Sequence, residues 1–169
     1  VSCLAEEAKI LVAEAEENNL GAKVLDQRWG RWHTCGLCEQ DYHGAVRCAL
    51  GWACWKTYLG RPETDKLRHF SFNVLGSGLF EANQDEDALS VMEAQVSMQR
   101  RHGESAHNFL VAQSSLASAY NSLGRREQAL RVRQDIYFKC LSLYGEEHAH
   151  TLGEASNLVS SLGILKRYR

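Results

Sequence analysis

The chain has 169 residues, of which 44% are hydrophobic and 24% charged, and its formal net charge is −2. This length suits one domain or one run of small repeats, and the apolar share excludes a disordered chain. The near-neutral charge argues against a nucleic-acid or membrane partner held mainly by charge, and a single proline points to a helical chain.

The first 58 residues predict two helices separated by an irregular segment. Apolar residues spaced three and four apart predict an amphipathic helix over 4–20. Residues 22–43 follow no clean period. Residues 44–58 return to a helical period, and we expect Gly60 to end that helix in a left-handed conformation. We assign residues 1–58 to an N-terminal helical cap that includes a segment rich in Cys, His and Trp.

Closely spaced cysteines and histidines mark this irregular segment. The four residues that match the ligand spacing of a zinc knuckle are Cys35, Cys38, His43 and Cys48, with His33 and Cys54 as spare ligands. Zinc takes four sulfur or nitrogen ligands in a tetrahedron, and Cys-x2-Cys supplies two of them. The alternative, which we favour, is a structural role with Cys48 and Cys54 in a helix core. The other two cysteines would then pack against Trp52 and Trp55.

Two further interpretations of the same segment are disfavoured. A redox Cys-x-x-Cys site usually sits between a strand and a helix, and no such context surrounds this one. The four tryptophans between residues 29 and 55 resemble a base-stacking surface, but the chain is acidic overall and phosphate binding needs a basic patch. We interpret the tryptophans as a core shared by the cap and the next helices.

From residue 59 onwards the sequence repeats itself at an interval of 41 to 42 residues. The pairs that correspond are Leu75 with Leu116, Leu79 with Tyr120, Ala88 with Ala129, Leu110 with Leu152 and Leu116 with Leu158. Such self-similarity indicates stacked supersecondary units. The predicted first helices are 65–82, 107–123 and 149–166, and the predicted second helices are 85–102 and 126–144. We expect left-handed turns at Asn83 and Gly124, and helix ends at Gly103 and Gly145.

The stretch LASAYNSLGRREQAL (116–130) resembles the tetratricopeptide repeat, and the 42-residue interval with its YG–E turn resembles the kinesin-light-chain type. The resemblance covers residues 70–169. It implies an all-α, right-handed α–α solenoid of about two and a half repeats over 59–169, capped by the N-terminal helices. Gln95 and Arg133 depart from the family pattern, which has an alanine and an aromatic residue there, and we expect looser packing at both.

The resemblance implies a groove, lined by the first helices, that binds a protein or peptide. The positions matching the family's groove are Asn73, Ser77, Phe80, Ser114, Ser118, Asn121, Ser122, Ser156, Ser160 and Ile164. This neutral, hydrogen-bonding surface suits the backbone of an extended peptide. The alternative is that the serines are only solvated helix positions. Lysines are missing beside Asn73 and Asn121, which disfavours an acidic C-terminal tail as the ligand.

No phosphate-binding glycine loop, nucleophile elbow or HExxH motif occurs, so we expect a non-catalytic interaction module without a cofactor. One alternative is a structural subunit of a larger assembly, joined through the apolar stripe Leu158, Leu162 and Leu165. Another is a zinc-knuckle adaptor that contacts nucleic acid. His102, His148 and His150 fall at turns between repeats, where we expect them to be solvated.

The cysteine pattern and the chain start predict an intracellular protein. Four of the six cysteines crowd into residues 35–54, whereas a disulfide-stabilised secreted fold is usually smaller and spreads its cysteines. Acidic Glu6 and Glu7 stand where a secretory signal would be basic and then apolar, and no apolar stretch reaches the roughly 18 residues of a membrane span. We expect free thiols in a reducing compartment, most simply the cytoplasm, although an organelle also fits.

Overall fold

The computed structural model describes residues 1–102 and 106–167, and these residues form eight α-helices and one short 3-10 helix. The α-helices are α1 (Ser2–Glu17), α2 (Ala22–Trp29), α3 (Gly44–Tyr58), α4 (Lys66–Glu81), α5 (Asp85–His102), α6 (Ala106–Ser122), α7 (Arg126–Tyr144) and α8 (Ala149–Arg167), and the 3-10 helix is Gly30–Trp32. Within these residues the β structure is a single antiparallel bridge between Thr34 and Asp41. The predicted all-α class is confirmed.

The helix boundaries lie close to those predicted from hydrophobic spacing, and most of the predicted turns have the expected geometry. Asn83, Gly124 and Gly145 have φ of 57°, 71° and 85°, the left-handed region that asparagine and glycine tolerate best. The prediction for Gly60 is wrong: α3 ends with Leu59 still at φ −56°, and Gly60 is absent from the left-handed residues. Gly103 lies outside the described residues.

The helices pack mostly against their neighbours in sequence. Contacts join α1 to α2, α3 to α4, α6 to α7 and α7 to α8, and α1 also reaches α3. The chain divides into two compact units, Val1–Val91 (unit 1) and Met92–Arg169 (unit 2). This division falls inside α5. The helices on either side of the predicted cap boundary, α3 and α4, belong to the same unit, and the assignment of cap and repeats stays a prediction.

Aromatic side chains form the core of unit 1. Trp29, Trp32 and Tyr58 are at most 8% exposed, and the rings of Trp29 and Tyr58 lie 5.2 Å apart. Ala8 and Val12 from α1 complete this cluster. The predicted shared core is therefore confirmed for two of the four tryptophans. Of the other two, Trp52 is 40% exposed, and Trp55 packs against a second cluster formed by α4 and the start of α5.

Two glycines let the backbones of α3 and α4 approach closely. A Cβ atom on Gly51 would lie 3.0 Å from the Cα of Leu75, and a Cβ on Gly78 would lie 2.8 Å from the carbonyl oxygen of Arg47. Both distances are shorter than ordinary carbon contacts, so hydrogen is the one side chain that fits at each position. The sequence analysis did not single out these two glycines.

Unit 2 combines buried apolar and buried polar side chains. Ile136, Cys140 and Leu110 form one of its apolar clusters. Gln95 and Arg133, the two departures from the repeat pattern, are only 1% and 9% exposed. They are thus accommodated inside the unit. No helix in the described residues combines the length and apolarity of a membrane span.

Candidate functional site

A cavity of about 350 Å³ opens between α6, α7 and α8 within unit 2. Its size falls at the lower end of the range of about 300–1,000 Å³ typical of ligand pockets. The polar side chains that line it are Ser114, Ser115 and Ser118 from α6, Arg133 from α7, and Glu154 and Asn157 from α8. We call it the serine–arginine cavity.

The floor of this cavity is a closed set of hydrogen bonds around the buried guanidinium of Arg133. Its Nη1 donates to Ser114 Oγ at 2.9 Å and to Glu154 Oε2 at 3.4 Å, and its Nη2 donates to Ser118 Oγ at 3.1 Å. Ser114 Oγ in turn donates to Glu154 Oε1 at 3.0 Å. A charge removed from water must be paired, and Glu154 neutralises this one. The result is a rigid polar surface without net charge.

Imidazole and phenol rings also line the cavity, those of His107, Tyr144 and His150. The rings of His107 and His150 lie 5.4 Å apart, and Tyr144 also stacks on His148, which is not a lining residue, at 4.8 Å. His148 and His150 are exposed, as predicted for turn residues, but they also stack on each other at 5.3 Å. The cavity thus joins a hydrogen-bonding floor to an aromatic rim.

The structure places five of the predicted groove residues in three different surroundings. Ser114 and Ser118 line the serine–arginine cavity. Asn73 and Ser77 line a separate cavity of about 260 Å³ in unit 1. Phe80 packs against the core cluster of α4 and α5.

The remaining groove positions line neither cavity. Ser122 and Ser160 are exposed, and their hydroxyls donate to the carbonyls of Ser118 and Ser156 one turn back. Asn121 is half-buried and Ser156 is exposed. The side chains of Ile164 and Leu165 lie outside the described residues. A role for any of these residues in binding stays a prediction.

The unit 1 cavity combines aromatic walls with a cationic group. Trp29 and Phe70 meet edge to face at 5.9 Å on one side, and Arg47 lies on the other. Arg47 Nη1 is 3.7 Å from Asp41 Oδ2. Burial, together with the nearby Arg47 guanidinium, lowers the pKa of His33 below its usual 6.5. At neutral pH His33 is therefore an uncharged hydrogen-bonding group in this wall.

The four predicted zinc ligands are not brought together. His43 Nδ1 lies 3.6 Å from Glu81 Oε2, and Cys48 Sγ lies 3.9 Å from Gln84 Oε1 beside the cluster of α4 and α5. Cys35 and Cys38 stay in the loop before α3. Across residues 1–102 and 106–167 no group of three or more His, Cys, Asp or Glu side chains is arranged to hold a metal ion.

The favoured structural interpretation is right for part of the cysteine cluster. Cys54 is fully buried in the core of unit 1, and this burial raises the pKa of its thiol. Cys48 packs against the second cluster. Cys38, however, is exposed, and Cys35 lines a cavity with Arg31 and Tyr42. Hydrogen bonds from the backbone N–H groups of Cys38 and Leu37 lower the pKa of the Cys35 thiol.

We expect the purified, reduced chain to contain far less than one zinc ion per molecule. A structural zinc site needs four ligands in a tetrahedron, and the structure places two of the four predicted ligands in other contacts. Elemental analysis after dialysis against metal-free buffer measures this directly. A stoichiometric zinc ion that resists dialysis and is lost in a Cys35→Ser variant would contradict the expectation.

Arg133 and Glu154 are the functional candidates that the sequence analysis missed. Arg133 attracted notice only as a departure from an aromatic position, whereas the structure makes it the centre of the cavity floor. The signal that could have identified Arg133 was a charged residue at a position expected to be buried. Glu154, its partner 21 residues further on in the next predicted helix, has no feature in its local sequence that indicates this role.

No protein-family model matches the chain, and no curated protein matches it. The resemblance to the tetratricopeptide repeat therefore rests on the sequence pattern alone.

Proposed function

We propose that the chain is a non-catalytic protein-interaction module whose helix pairs are tetratricopeptide-like repeats of a right-handed solenoid. Two features support this proposal. The sequence repeats at 41 to 42 residues, and among the predicted repeat helices α6 packs with α7 and α7 packs with α8. The crowding of four of the six cysteines into residues 35–54 favours a reducing intracellular compartment for it.

The observation that carries the proposal is the serine–arginine cavity. Ser114 and Ser118, two positions that the repeat pattern assigns to a groove, line it. The charges of Arg133 and Glu154 are paired with each other, so the floor offers hydrogen bonds rather than an acid or a base. We expect it to accept an uncharged polar side chain and the adjoining backbone of an extended peptide, since peptide recognition combines backbone hydrogen bonds with side-chain pockets.

The apolar side chains of the cavity fit the same ligand. Leu110, Val111 and Tyr144 line its other walls. A peptide residue with an apolar stem and an amide end would bury its stem there and place its amide near Asn157. Asn157 Nδ2 donates to Glu154 Oε2 at 3.3 Å, which leaves the side-chain oxygen Oδ1 of Asn157 to accept a bond from the ligand.

A matched pair of tryptophan substitutions tests the site. Ser115 on α6 lines the cavity, and exposed Ser90 on α5 does not and is no groove position, yet both hydroxyls donate to the carbonyl one turn back, at 3.3 and 3.0 Å. Peptides are first selected from a random display library on the full chain. We expect Ser115→Trp to weaken the binding of a selected peptide by more than about 30-fold and Ser90→Trp by less than about twofold. Titration calorimetry measures both, and equal losses would place the binding surface elsewhere.

A second candidate function is that of a structural subunit, and exposed apolar side chains on α8 favour it. On α8, Leu152 is 58% exposed, Val159 is 68% exposed and Leu162 is 39% exposed. Apolar patches of this kind mark protein contacts when they are contiguous. Sedimentation velocity discriminates, because a subunit that needs its neighbours self-associates or aggregates when isolated. A monodisperse monomer at high concentration would favour the groove-binding module.

A further inference from the structure

Residues 35–40 form a short closed loop, here the dithiol loop, that carries two cysteines. The N–H of Cys35 donates to the carbonyl of Gln40 at 2.8 Å, and the N–H of Glu39 donates to the carbonyl of Cys35 at 3.1 Å. Glu39 takes a left-handed conformation with φ 58°, which returns the chain towards its start. The antiparallel bridge between Thr34 and Asp41 closes the base. Both thiols are thereby held on one tight turn.

A backbone donor contacts the sulfur of Cys35. The N–H of Leu37 donates to it at 3.5 Å. Tyr42 lines the cavity that adjoins the same sulfur. Such donors stabilise the negative charge that a sulfur carries when it attacks a disulfide or leaves one. The dithiol loop therefore distinguishes an attacking sulfur, Cys35, from a neighbouring resolving sulfur, Cys38.

The surroundings of Cys35 offer both space and charge. A cavity of about 270 Å³ adjoins it, with Glu7 and Arg31 among its lining residues. The Arg31 guanidinium lies against the loop, because a Cβ on Gly36 would meet its Nη1 at 3.0 Å. Cys38 is exposed, and Leu37 at the loop tip is 98% exposed. Beside the half-buried Cys35 thiol, the Arg31 guanidinium can pair with a carboxylate and the Glu7 carboxylate with an ammonium group. A small zwitterionic disulfide carries both of these groups.

We propose that Cys35 and Cys38 form a thiol–disulfide exchange site whose substrate is a small zwitterionic disulfide of the glutathione type. The Cys35 thiolate attacks one sulfur of glutathione disulfide, forms a mixed disulfide and releases one glutathione thiolate. The Cys38 thiol then loses its proton to solvent and attacks the Cys35 sulfur, which forms the Cys35–Cys38 disulfide and releases the second glutathione thiolate. The two cysteines are oxidised by two electrons, and glutathione disulfide is reduced by the same two.

Trapping the mixed disulfide tests this assignment on the full chain. The reduced protein is incubated with glutathione disulfide, quenched by alkylation, and analysed by intact mass and peptide mapping. We expect the unmodified chain to lose two hydrogen masses and to link Cys35 to Cys38. The Cys38→Ser variant should instead retain one glutathionyl group on Cys35, and the Cys35→Ser variant should react about tenfold more slowly because the sulfur stabilised by donors is gone.

Cys3 supplies the matched control, since it is an exposed cysteine on α1 with no place in the loop. Cys3→Ser should leave the rate and the product unchanged. Tyr42→Phe removes the hydroxyl from the cavity beside Cys35 and should slow the first step about threefold, while Arg31→Ala should reduce the preference for glutathione disulfide over uncharged hydroxyethyl disulfide. Glutathionylation of Cys3 at the same rate as Cys35 would overturn the proposal. So would a stoichiometric zinc ion bound by the two loop cysteines, or a Cys38→Ser variant that accumulates no mixed disulfide.

Discussion

Replacing Gly78 with alanine is expected to lower the free energy of unfolding of unit 1 by about 1–3 kcal/mol. The added methyl group would lie 2.8 Å from the carbonyl oxygen of Arg47 and 2.9 Å from the Cα of Cys48. Both atoms belong to the backbone of α3, so no side chain can rotate away to make room. Alanine favours a helix over glycine by about 1 kcal/mol, and the clash must exceed this gain to produce the net loss.

Tryptophan fluorescence is a specific probe of this unit, because all four tryptophans of the chain lie between residues 29 and 55. The measurement is a denaturant titration of Gly78→Ala against the unmodified chain. Gly60→Ala serves as the control: a Cβ there meets no atom within 4 Å, and its φ lies outside the left-handed region. We expect that control to shift the free energy of unfolding by less than about 0.5 kcal/mol. A neutral or stabilising Gly78→Ala would mean that α3 and α4 are further apart than described.

The glycine contacts show where sequence periodicity stops being informative. Hydrophobic spacing located the helices because one face of each is buried, and the chain therefore records that face every three or four residues. The close backbone approaches at Gly51 and Gly78 left no such record in the sequence. Which glycine faces a neighbouring backbone depends on the rotation of each helix about its axis, which a pattern of apolar residues defines only coarsely.

The residues of the serine–arginine cavity likewise include some that the sequence could identify and some that it could not. Ser114 and Ser118 were found because the resemblance to the tetratricopeptide repeat implies groove positions there, and the structure puts both on one cavity. Arg133 was not found, since its partners lie on two other helices and are 15 to 21 residues away in sequence. A buried charge is accommodated by a three-dimensional set of hydrogen bonds, and such a set leaves no local spacing to detect.

The four residues with zinc-knuckle spacing are separated in the structure for a physical reason that can be traced to the start of α3. His43 is the residue that precedes this helix, and Cys48 falls in its second turn facing α4. Once residue 44 begins a helix, the direction of each following side chain is fixed by 3.6-residue geometry rather than by metal binding. Regular ligand spacing in the sequence therefore did not become a tetrahedron. The pair that remained in the loop, Cys35 and Cys38, kept its proximity because the turn itself is closed by backbone hydrogen bonds.

Replacing Arg133 with methionine is expected to destabilise unit 2 by about 2–4 kcal/mol, because it leaves the half-buried Glu154 carboxylate without its counter-ion. Removing the carboxylate as well should reverse most of that loss. Methionine fills much of the space of the arginine stem, and glutamine at position 154 can still accept from Ser114 without carrying a charge. The Arg133→Met/Glu154→Gln variant should therefore lie within about 1 kcal/mol of the unmodified chain.

A double-mutant cycle read by hydrogen exchange separates this pairing from simple loss of packing. Amide protection in α6, α7 and α8 reports on unit 2, which lacks tryptophan. Arg131→Met is the matched control, an exposed arginine on the same helix whose replacement should change protection by less than about 0.5 kcal/mol. A coupling free energy above about 1.5 kcal/mol between positions 133 and 154 would establish the ion pair as the support of the cavity floor. Additive effects would instead mean that the two side chains act independently, and Ser114 and Ser118 would then lack the fixed polar partner on which the proposed peptide site depends.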